Sequence, residues 1–316
     1  MSDAPLVSAV VPTYRRPRLL ERSLGSILRQ TYRPLELIVV DDGSGDDTQD
    51  VLSAFADKAQ AAGVDYRYFE KENGGPGPAK NFGMEQARGE YFAFLDDDDR
   101  WYPHKLENQL QMLALHPEAG VSFTRYVHEG KPDEPKPKPE QMRDGWVFET
   151  LCSGDTRAHL QTLVIRRAMF ERCGGFSSHR NWEDTEYELR LSLETQFLAV
   201  REPLTVICTV ESSVSREEGL EGDVERDRQK LSILDELVEK YGDHPRFKLE
   251  STKILRARVY DEHIKHLIWL GRVPEAREAW ERAVSECGEQ EMLLKLKRKL
   301  SRAKVAGWFG RKLKKP

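Results

Sequence analysis

The feature of this 316-residue chain with the clearest chemical potential is a run of four aspartates, Asp96–Asp99, directly after the apolar segment Tyr91–Leu95. Adjacent carboxylates repel one another unless a cation neutralises them. Mg²⁺ and Mn²⁺ prefer oxygen ligands and usually bind one or two carboxylates together with substrate phosphates. A solvated turn is the common alternative for such a charge run, so these residues alone leave both a metal site and a turn open.

Two other acidic pairs could also do chemistry. Asp41 and Asp42 end an apolar run in VVDDGS, and Glu183 and Asp184 begin a helical pattern in WEDTEYEL. A positioned carboxylate can take a proton from a reacting hydroxyl as a general base. Each pair also has a structural explanation, because Asp and Gly are common in turns and acidic residues stabilise the first turn of a helix.

The elements that must position these carboxylates alternate along the first hundred residues. Continuous apolar runs are typical of parallel strands covered on both faces, and segments with a helical apolar stripe separate them. Strands that alternate with helices predict an α/β fold with right-handed connections and a parallel sheet. The predicted strands are Val7–Val11, Leu35–Val40, Tyr66–Phe69 and Tyr91–Leu95, and the predicted helices begin at Pro17 and span Asp46–Ala61 and Pro78–Ala87.

Polar clusters follow each of these predicted strands. Because ligands of such sheets bind at the carboxyl ends of the strands, the clusters outline a single crevice. The clusters are Pro12–Tyr14, Asp41–Ser44, Asn73–Gly75 and Asp96–Asp99.

Beyond residue 100 the pattern is less regular. Pro103 opens a helix, and residues 129–145 are so rich in Pro, Lys and Glu that they predict an exposed loop without regular structure. After about residue 220 the pattern is helical only. Between these regions lie the predicted strand Leu160–Ile165, the helices Arg167–Cys173 and Glu183–Thr195, and the strands Phe197–Val200 and Leu204–Val210.

The ordered motifs resemble those of family 2 glycosyltransferases with the GT-A fold. The string VSAVVPTYRRPRLLERSLGSILRQTYRPLELIVVDDGSGDDT, followed by ENGGPGPAKNFGMEQARGEYFAFLDDDDRW, is similar to the nucleotide-binding half of that family. The string LVIRRAMFERCGGFSSHRNWEDTEYELRL is similar to its acceptor half. The resemblance covers roughly residues 6–215. It implies a Rossmann-like, mostly parallel twisted sheet with helices on both faces.

The same resemblance implies a domain organisation. Residues 1–215 would form the GT-A domain, in which residues 1–100 bind the nucleotide sugar and residues 101–215, with loop 129–145, face the acceptor. Residues 216–316 lie outside the resemblance and are predicted to form a helical C-terminal region.

For the donor, the resemblance assigns roles to four residues before the aspartate run. Pro12 and Tyr14 match the segment that packs on the nucleotide base, and Asp42 matches the carboxylate that accepts the imide N–H of the base, usually uracil. Lys80, where the family more often has Arg, would lie near the base and the phosphates. A UDP-sugar is therefore the expected donor.

For the reaction centre, the resemblance matches Asp96 and Asp98 to the D-x-D motif. Asp96 would lie near the ribose, Asp98 would bind Mn²⁺ or Mg²⁺ on the diphosphate with Asp96 as a further ligand, and Asp97 could share either role. Asp184 matches the catalytic base, and its neighbours Trp182 and Glu183 are expected at the substrate. A cation on the leaving diphosphate and a separate base suffice for a single displacement that inverts the anomeric carbon.

Two departures from the family pattern limit the interpretation. The segment Cys208–Ser213 (CTVESS) lacks the His found there in many relatives, so a third metal ligand would have to be water or another group. The Q-x-x-R-W motif and the membrane helices of processive synthases are also missing. We therefore expect transfer of one sugar per encounter to a glycan, lipid-linked or other acceptor in cell-surface polysaccharide or glycoconjugate assembly.

The composition and the cysteine pattern predict the cellular compartment of the protein. Hydrophobic residues make up 39% and charged residues 33% of the chain, as in soluble globular proteins. The four cysteines show neither C-x-x-C nor zinc-ligand spacing, and no signal sequence or apolar span of about 18 residues is present. These observations predict a cytoplasmic protein, and they do not indicate an oligomeric state.

Residues 295–316 contain ten Lys or Arg and no acidic residue. Subtracted from the net charge of −5, they leave −15 on the rest of the chain, which argues against nucleic-acid binding. Leu293, Leu296, Leu300 and Ala303 would form one apolar helical face, with Trp308, Phe309 and Leu313 beyond it. A basic amphipathic helix suits an anionic membrane surface, and packing on the acidic body is the equal alternative.

Two other function classes compete with a glycosyltransferase. A nucleotidyltransferase of sugar activation would normally carry a Gly-rich phosphate loop after its first strand, where this chain has Pro12-Thr13-Tyr14. A non-catalytic scaffold would not need the intact set Asp42, Asp98 and Asp184.

Overall fold

The computed structural model describes residues 4–208 and 219–308, with side chains described to residue 302. The described residues form two compact units. The first contains residues 4–147 and 155–208, and the second contains residues 148–154 and 219–308.

The first half of the first unit is a parallel sheet with helices on both faces. Its strand order is β3-β2-β1-β4, and each neighbouring pair is parallel. The side chains of β1 and β2 are almost all buried, as their largely apolar sequences predict, and the buried set includes the polar Ser8 and Glu36. The elements are β1 (Val7–Thr13), α1 (Pro17–Leu28), β2 (Leu35–Asp41), α2 (Thr48–Ala61), β3 (Asp65–Glu70), α3 (Pro76–Gln86) and β4 (Tyr91–Phe94).

The two faces of this sheet are packed by different helices. Ala9 and Leu37 share one apolar core with α1 and α2, whereas Val10 and Val40 face α3. A Cβ at Gly83 of α3 would lie 2.5 Å from a methyl carbon of Val10, so only glycine allows this close approach. The strands are thereby packed on both sides, and their carboxyl ends lie along one edge of the sheet.

The second half of the unit extends the sheet with mixed pairing. From β4 the order continues β8-β6-β9-β5, in which only β6 and β9 are parallel, and β7 pairs with β6 to give nine strands among the described residues. The elements are β5 (Arg100–Trp101), α4 (Lys105–Leu115), β6 (Ala119–His128), β7 (Lys131–Lys136), β8 (Leu163–Arg166), α6 (Arg167–Cys173), α7 (Glu183–Glu194) and β9 (Gln196–Ile207), with α5 (Phe148–Ser153) in the second unit.

The expectation that residues 129–145 lack regular structure was wrong. Residues 131–136 form β7, an exposed strand whose hydrogen bonds come from its antiparallel partner β6. Proline is tolerated in a strand at the edge of a sheet, where its missing N–H faces solvent. Tertiary pairing therefore overrides the loop-like composition. The long strand β6 was also missed, and β9 is one strand where two were predicted.

The second unit is helical in its described residues. It comprises α5, α8 (Gly219–Tyr241), α9 (Leu249–Leu270), α10 (Val273–Cys287) and α11 (Glu291–Trp308). Gly271 adopts a positive φ of 83° at the end of α9, and Pro274 lies in the first turn of α10, so the two helices form a hairpin.

The predicted membrane-facing apolar face of the C-terminal segment is buried at the leucines that the structure describes. Leu293, Leu296 and Leu300 are at most 4% exposed and belong to the core formed with α9 and α10. Lys297 and Lys299 lie over the rings of Trp280 and Trp269, at 5.4 and 4.8 Å. Packing on the protein's own helices, the alternative reading, therefore describes these leucines.

The remaining predicted apolar residues of this segment, the side chains of Ala303 and Trp308 and all of Phe309 and Leu313, lie outside the described part. Within the described helices, none is both long enough and apolar enough to cross a bilayer.

Candidate active site

The aspartate run lies at the carboxyl end of β4, where α1 holds its backbone. Ser23 Oγ donates to the carbonyl oxygen of Asp96 at 3.0 Å, and Arg22 Nη2 donates to that of Asp98 at 3.1 Å. The N–H of Cys208 donates to Asp99 Oδ1 at 2.8 Å. The run is thus a supported loop at the sheet edge rather than a free solvated turn.

Three of the four carboxylates in this run face one point. Oxygens of Asp96, Asp98 and Asp99 lie within 4.8 Å of one another. Asp97 points elsewhere, since it accepts hydrogen bonds from Thr13 Oγ1 at 2.7 Å and Arg16 Nη1 at 3.2 Å. The structure therefore joins the predicted Asp96 and Asp98 with Asp99, which was not predicted as a ligand.

Burial makes this loop a poor place for unpaired negative charge. It raises the pKa of Asp99 to about 9 and that of Asp97 to about 7, and it raises the pKa of Asp96 as well. A divalent cation would reverse this by favouring the ionised carboxylates. The three oxygen donors of Asp96, Asp98 and Asp99 are the kind that Mn²⁺ and Mg²⁺ prefer, so the residues fit such a metal.

The predicted base lies in the first turn of α7 beside a buried lysine. Lys80 of α3 is 2% exposed, and its Nζ contacts Asp184 and lies 3.1 Å from Glu183 Oε1. Burial alone would lower the pKa of Lys80, but the carboxylates of Asp184, Glu183 and Asp96 outweigh it and raise that pKa. Burial and the charge of Asp184 raise the pKa of Glu183 to about 7.

Trp182 immediately precedes this turn in a strained backbone conformation. Its φ of 68° lies in the left-handed region, and its side chain is half-buried. Such strain in a residue other than glycine clusters at functional sites, because the surrounding structure must hold it. The contact between Trp182 and substrate, expected from its position beside Asp184, stays a prediction.

The residues predicted to bind the nucleotide base lie at the ends of β1 and β2. Tyr14 is 38% exposed, with the Arg15 guanidinium 5.0 Å from its ring centre, and Pro12 is half-buried. The available aromatic surface of Tyr14 is suited to stacking on a base.

Asp42 is more enclosed than Tyr14. It is 3% exposed and accepts hydrogen bonds from Lys71 Nζ at 2.9 Å, Gly74 N at 3.0 Å and Gly75 N at 2.7 Å. Asp42 therefore ties β2 to the loop before α3. A carboxylate offers about four acceptor positions, so one is left for the N–H of a base. Lys71 was not predicted at this site.

Comparison with known proteins identifies the family of this chain. A model described as Glycosyl transferase family 2 matches residues 8–177, more than half of the chain. The chain belongs to glycosyl transferase family 2. This assignment confirms the resemblance and the predicted enzyme class, and it does not support a nucleotidyltransferase.

Two curated relatives of this family 2 member show how far the likeness extends. An uncharacterized glycosyltransferase of Rickettsia typhi is 42% identical over 207 residues, 62% of this chain and 60% of the relative. TuaG of Bacillus subtilis, named for teichuronic acid biosynthesis, is 38% identical over 122 residues, 39% of this chain and 47% of TuaG. The chain thus spans 60% or less of the length of these relatives.

A solved structure supports the fold. The mannosyltransferase PcManGT of Pyrobaculum calidifontis, in complex with GDP-Man and Mn²⁺, superposes with a TM-score of 0.61 over 96% of this chain and 80% of its own, at 20% sequence identity. At that identity the likeness shows the fold, and it confirms the predicted GT-A architecture with a helical C-terminal region.

A carboxyl that sequence reasoning missed lies one turn after Asp184 on α7. Glu188 is 6% exposed. Burial, and then the charge of Asp184, raise its pKa from the usual 4.5 to about 8. The i, i+4 spacing places it on the same helix face as Asp184.

Replacing Glu188 with glutamine is expected to stabilise the protein at alkaline but not at acidic pH. Because the folded pKa lies above the unfolded one, the folded chain keeps a proton that the unfolded chain releases. That stability is fully present below about pH 4.5 and is lost as the pH rises to about 8. Across this window the variant should gain up to about 1.4 kcal/mol per pH unit in free energy of unfolding.

Denaturant unfolding at several pH values measures this difference. Glu171→Gln, at an exposed position of α6, is the control for loss of one carboxylate. A wild-type-minus-variant difference that does not change with pH would show that Glu188 does not titrate in this window.

Proposed function

We propose that this protein transfers one sugar from a nucleoside-diphosphate donor to an acceptor hydroxyl, by a single displacement that inverts the anomeric carbon. The observation that carries the proposal is the placement of Lys80. It contacts Asp184, and its pKa responds to Asp96 as well as to Asp184 and Glu183. The aspartate loop and the first turn of α7 therefore belong to one electrostatic cluster, as a reaction that needs a stabilised leaving group and a nearby base requires.

The aspartate loop would stabilise the leaving group of the reaction. Asp96, Asp98 and Asp99 would hold Mn²⁺ or Mg²⁺, which stabilises the negative charge that grows on the diphosphate when the sugar–phosphate bond breaks. With Asp99 in this set, the missing His after Cys208 is not needed to complete three protein ligands.

Asp184 would activate the attacking hydroxyl of the acceptor. The acceptor hydroxyl is far too weak an acid to ionise near neutral pH, so Asp184 would take its proton as the oxygen attacks. Lys80 contacts this carboxylate from α3 and holds it in place. Trp182 and Glu183, on either side of the start of the helix, would contact the acceptor or the donor sugar.

The donor that we propose is a UDP-sugar, bound by Pro12, Tyr14 and Asp42. The acceptor position left on Asp42 suits the imide N–H of uracil, although guanine also presents an N–H at its pairing edge. The similarity to PcManGT, which was solved with GDP-Man, makes GDP-sugars the first alternative. The acceptor that we propose is a cell-surface glycan or lipid-linked precursor, in line with the similarity to TuaG.

A donor screen tests the proposed function. UDP- and GDP-sugars are incubated with the full chain, with and without Mn²⁺, and release of the nucleoside diphosphate is measured. Metal-dependent release from one donor class is expected. A chain that releases none from any donor, with or without candidate acceptors, would fit a non-catalytic scaffold instead.

We further propose that the basic residues of segment 303–316 bring the protein to an anionic membrane surface, since the leucines before them are buried and do not provide an apolar face. These residues include five Lys or Arg, each worth up to about 1 kcal/mol near such a surface. The full chain should sediment with phosphatidylserine vesicles at low salt, and a chain ending at Arg302 should sediment less. Absence of binding by the full chain at low salt would exclude this attachment.

A further inference from the structure

Arg16 places a fixed positive charge against the carboxylates that would bind a divalent cation. It lies just before Pro17 at the start of α1, and its Nη1 donates to Asp98 Oδ2 at 2.9 Å and to Asp97 Oδ1 at 3.2 Å. The side chains are 20% and 14% exposed for Arg16 and Asp98, so the pair lies at the mouth of the loop. A guanidinium does not lose its proton in proteins, so this charge is permanent.

Two cations would therefore compete for the Asp98 carboxylate, the Arg16 guanidinium and a divalent metal ion. It belongs to the trio with Asp96 and Asp99, and it also accepts the charge-assisted hydrogen bond from Arg16. A divalent cation bound by Asp98 would lie close to the guanidinium, and the two positive charges would repel each other. Metal binding must weaken the Arg16–Asp98 contact or proceed against this repulsion.

We infer that Arg16 is the resident counter-cation of the aspartate loop and makes metal binding depend on the donor diphosphate. This inference rests on the proposed function. Without nucleotide, the metal competes with Arg16 for Asp98. A diphosphate adds oxygen ligands for the metal and offers the guanidinium another anionic partner of the kind that arginine binds well. Metal and nucleotide then bind cooperatively, and each raises the affinity of the protein for the other by the same factor.

Arg22, within α1, provides a matched comparison. It donates to the main-chain oxygen of Asp98 at 3.1 Å and to Glu129 Oε1 at 2.9 Å, but it makes no described hydrogen bond to a carboxylate of the aspartate run. Removing Arg22 deletes one positive charge near the loop, as removing Arg16 does, without releasing the Asp98 carboxylate. A general effect of charge on metal affinity would appear in both variants, whereas competition for Asp98 would appear only when Arg16 is removed.

Electron paramagnetic resonance of free Mn²⁺ tests the inference on the full chain, without any turnover. Mn²⁺ is titrated into the wild type, Arg16→Gln and Arg22→Gln, alone and with UDP or GDP. Arg16→Gln should bind Mn²⁺ alone at least tenfold more tightly than the wild type, and the gain in Mn²⁺ affinity on adding nucleotide should shrink by a similar factor. Arg22→Gln should change both quantities much less than Arg16→Gln does.

Several results would overturn the inference. If folded Arg16→Gln binds Mn²⁺ alone no more tightly than the wild type, Arg16 only orders the loop. If the Gln variant does not fold, Arg16→Met keeps the apolar stem and carries the same expectation. If the wild type binds no Mn²⁺ with either nucleotide, the proposed metal-dependent function fails and the inference fails with it. Equal cooperativity in all variants refutes the inference alone.

Discussion

Asp184→Asn is expected to lower sugar transfer by at least about 10²-fold, the usual loss when a general base is removed. The asparagine side chain has nearly the same shape, and its amide oxygen can still accept a hydrogen bond from Lys80, which contacts Asp184 in the wild type. It cannot take a proton from the acceptor. Affinity for the donor should change little, because Asp184 faces the acceptor side of the proposed reaction. Steady-state turnover with saturating donor measures the first effect, and calorimetry with UDP and Mn²⁺ measures the second.

Glu183→Gln is the matched control for this experiment. Glu183 precedes Asp184, is bound to the same lysine at 3.1 Å and is more deeply buried. If Asp184 is the base, Glu183→Gln should lose much less turnover than Asp184→Asn, because it removes at most a substrate contact. The reverse order of the two variants would move the base to Glu183. Near-normal turnover by Asp184→Asn would remove Asp184 from the mechanism.

The sequence predicts the parallel half of the sheet well, because its signals are local. Runs such as Val7–Val11 and Leu35–Val40 are apolar at all but one position each, Ser8 and Glu36, and each predicted boundary lies within two residues of the observed one. The antiparallel half depends on distant partners. The strand at 131–136 carries Pro, Lys and Glu, and only its pairing with β6 makes it a strand. No local pattern contains that information.

In the candidate site, the sequence likewise predicts which residues take part better than it predicts where their side chains point. Which positions carry carboxylates was evident from motifs, but the direction of each side chain within four consecutive aspartates was not. The Asp97 side chain points toward Thr13, whereas Asp99 lies with Asp96 and Asp98 in the group of carboxylates that could bind a cation. Contacts from α1 and from Cys208 hold the loop in this arrangement. Glu188, by contrast, could have been found from its i, i+4 spacing to Asp184 within a helical pattern.

Asp98→Ala is expected to abolish most metal-dependent nucleotide binding. Loss of a residue that only orients a metal ligand typically costs 10–100-fold in metal affinity, so loss of a direct ligand should lower the Mn²⁺-dependent affinity for UDP by at least about 100-fold. The fold should survive, because Asp98 is partly exposed and the substitution relieves repulsion among crowded carboxylates. Thermal unfolding without metal checks the fold, and calorimetry with UDP, with and without Mn²⁺, checks the binding.

Asp97→Asn separates ligation from simple loss of charge at the loop. Asp97 is adjacent to Asp98 but is bonded to Thr13 and Arg16, outside the trio of Asp96, Asp98 and Asp99. Its replacement by asparagine also removes a carboxylate from the loop and should leave most of the Mn²⁺-dependent affinity in place. Asp99→Asn should instead resemble Asp98→Ala, since Asp99 is proposed as the third ligand. Equal losses in all three variants would mean that the metal responds only to the total charge of the loop. Unchanged binding by Asp98→Ala would show that the metal, if one is used, binds elsewhere.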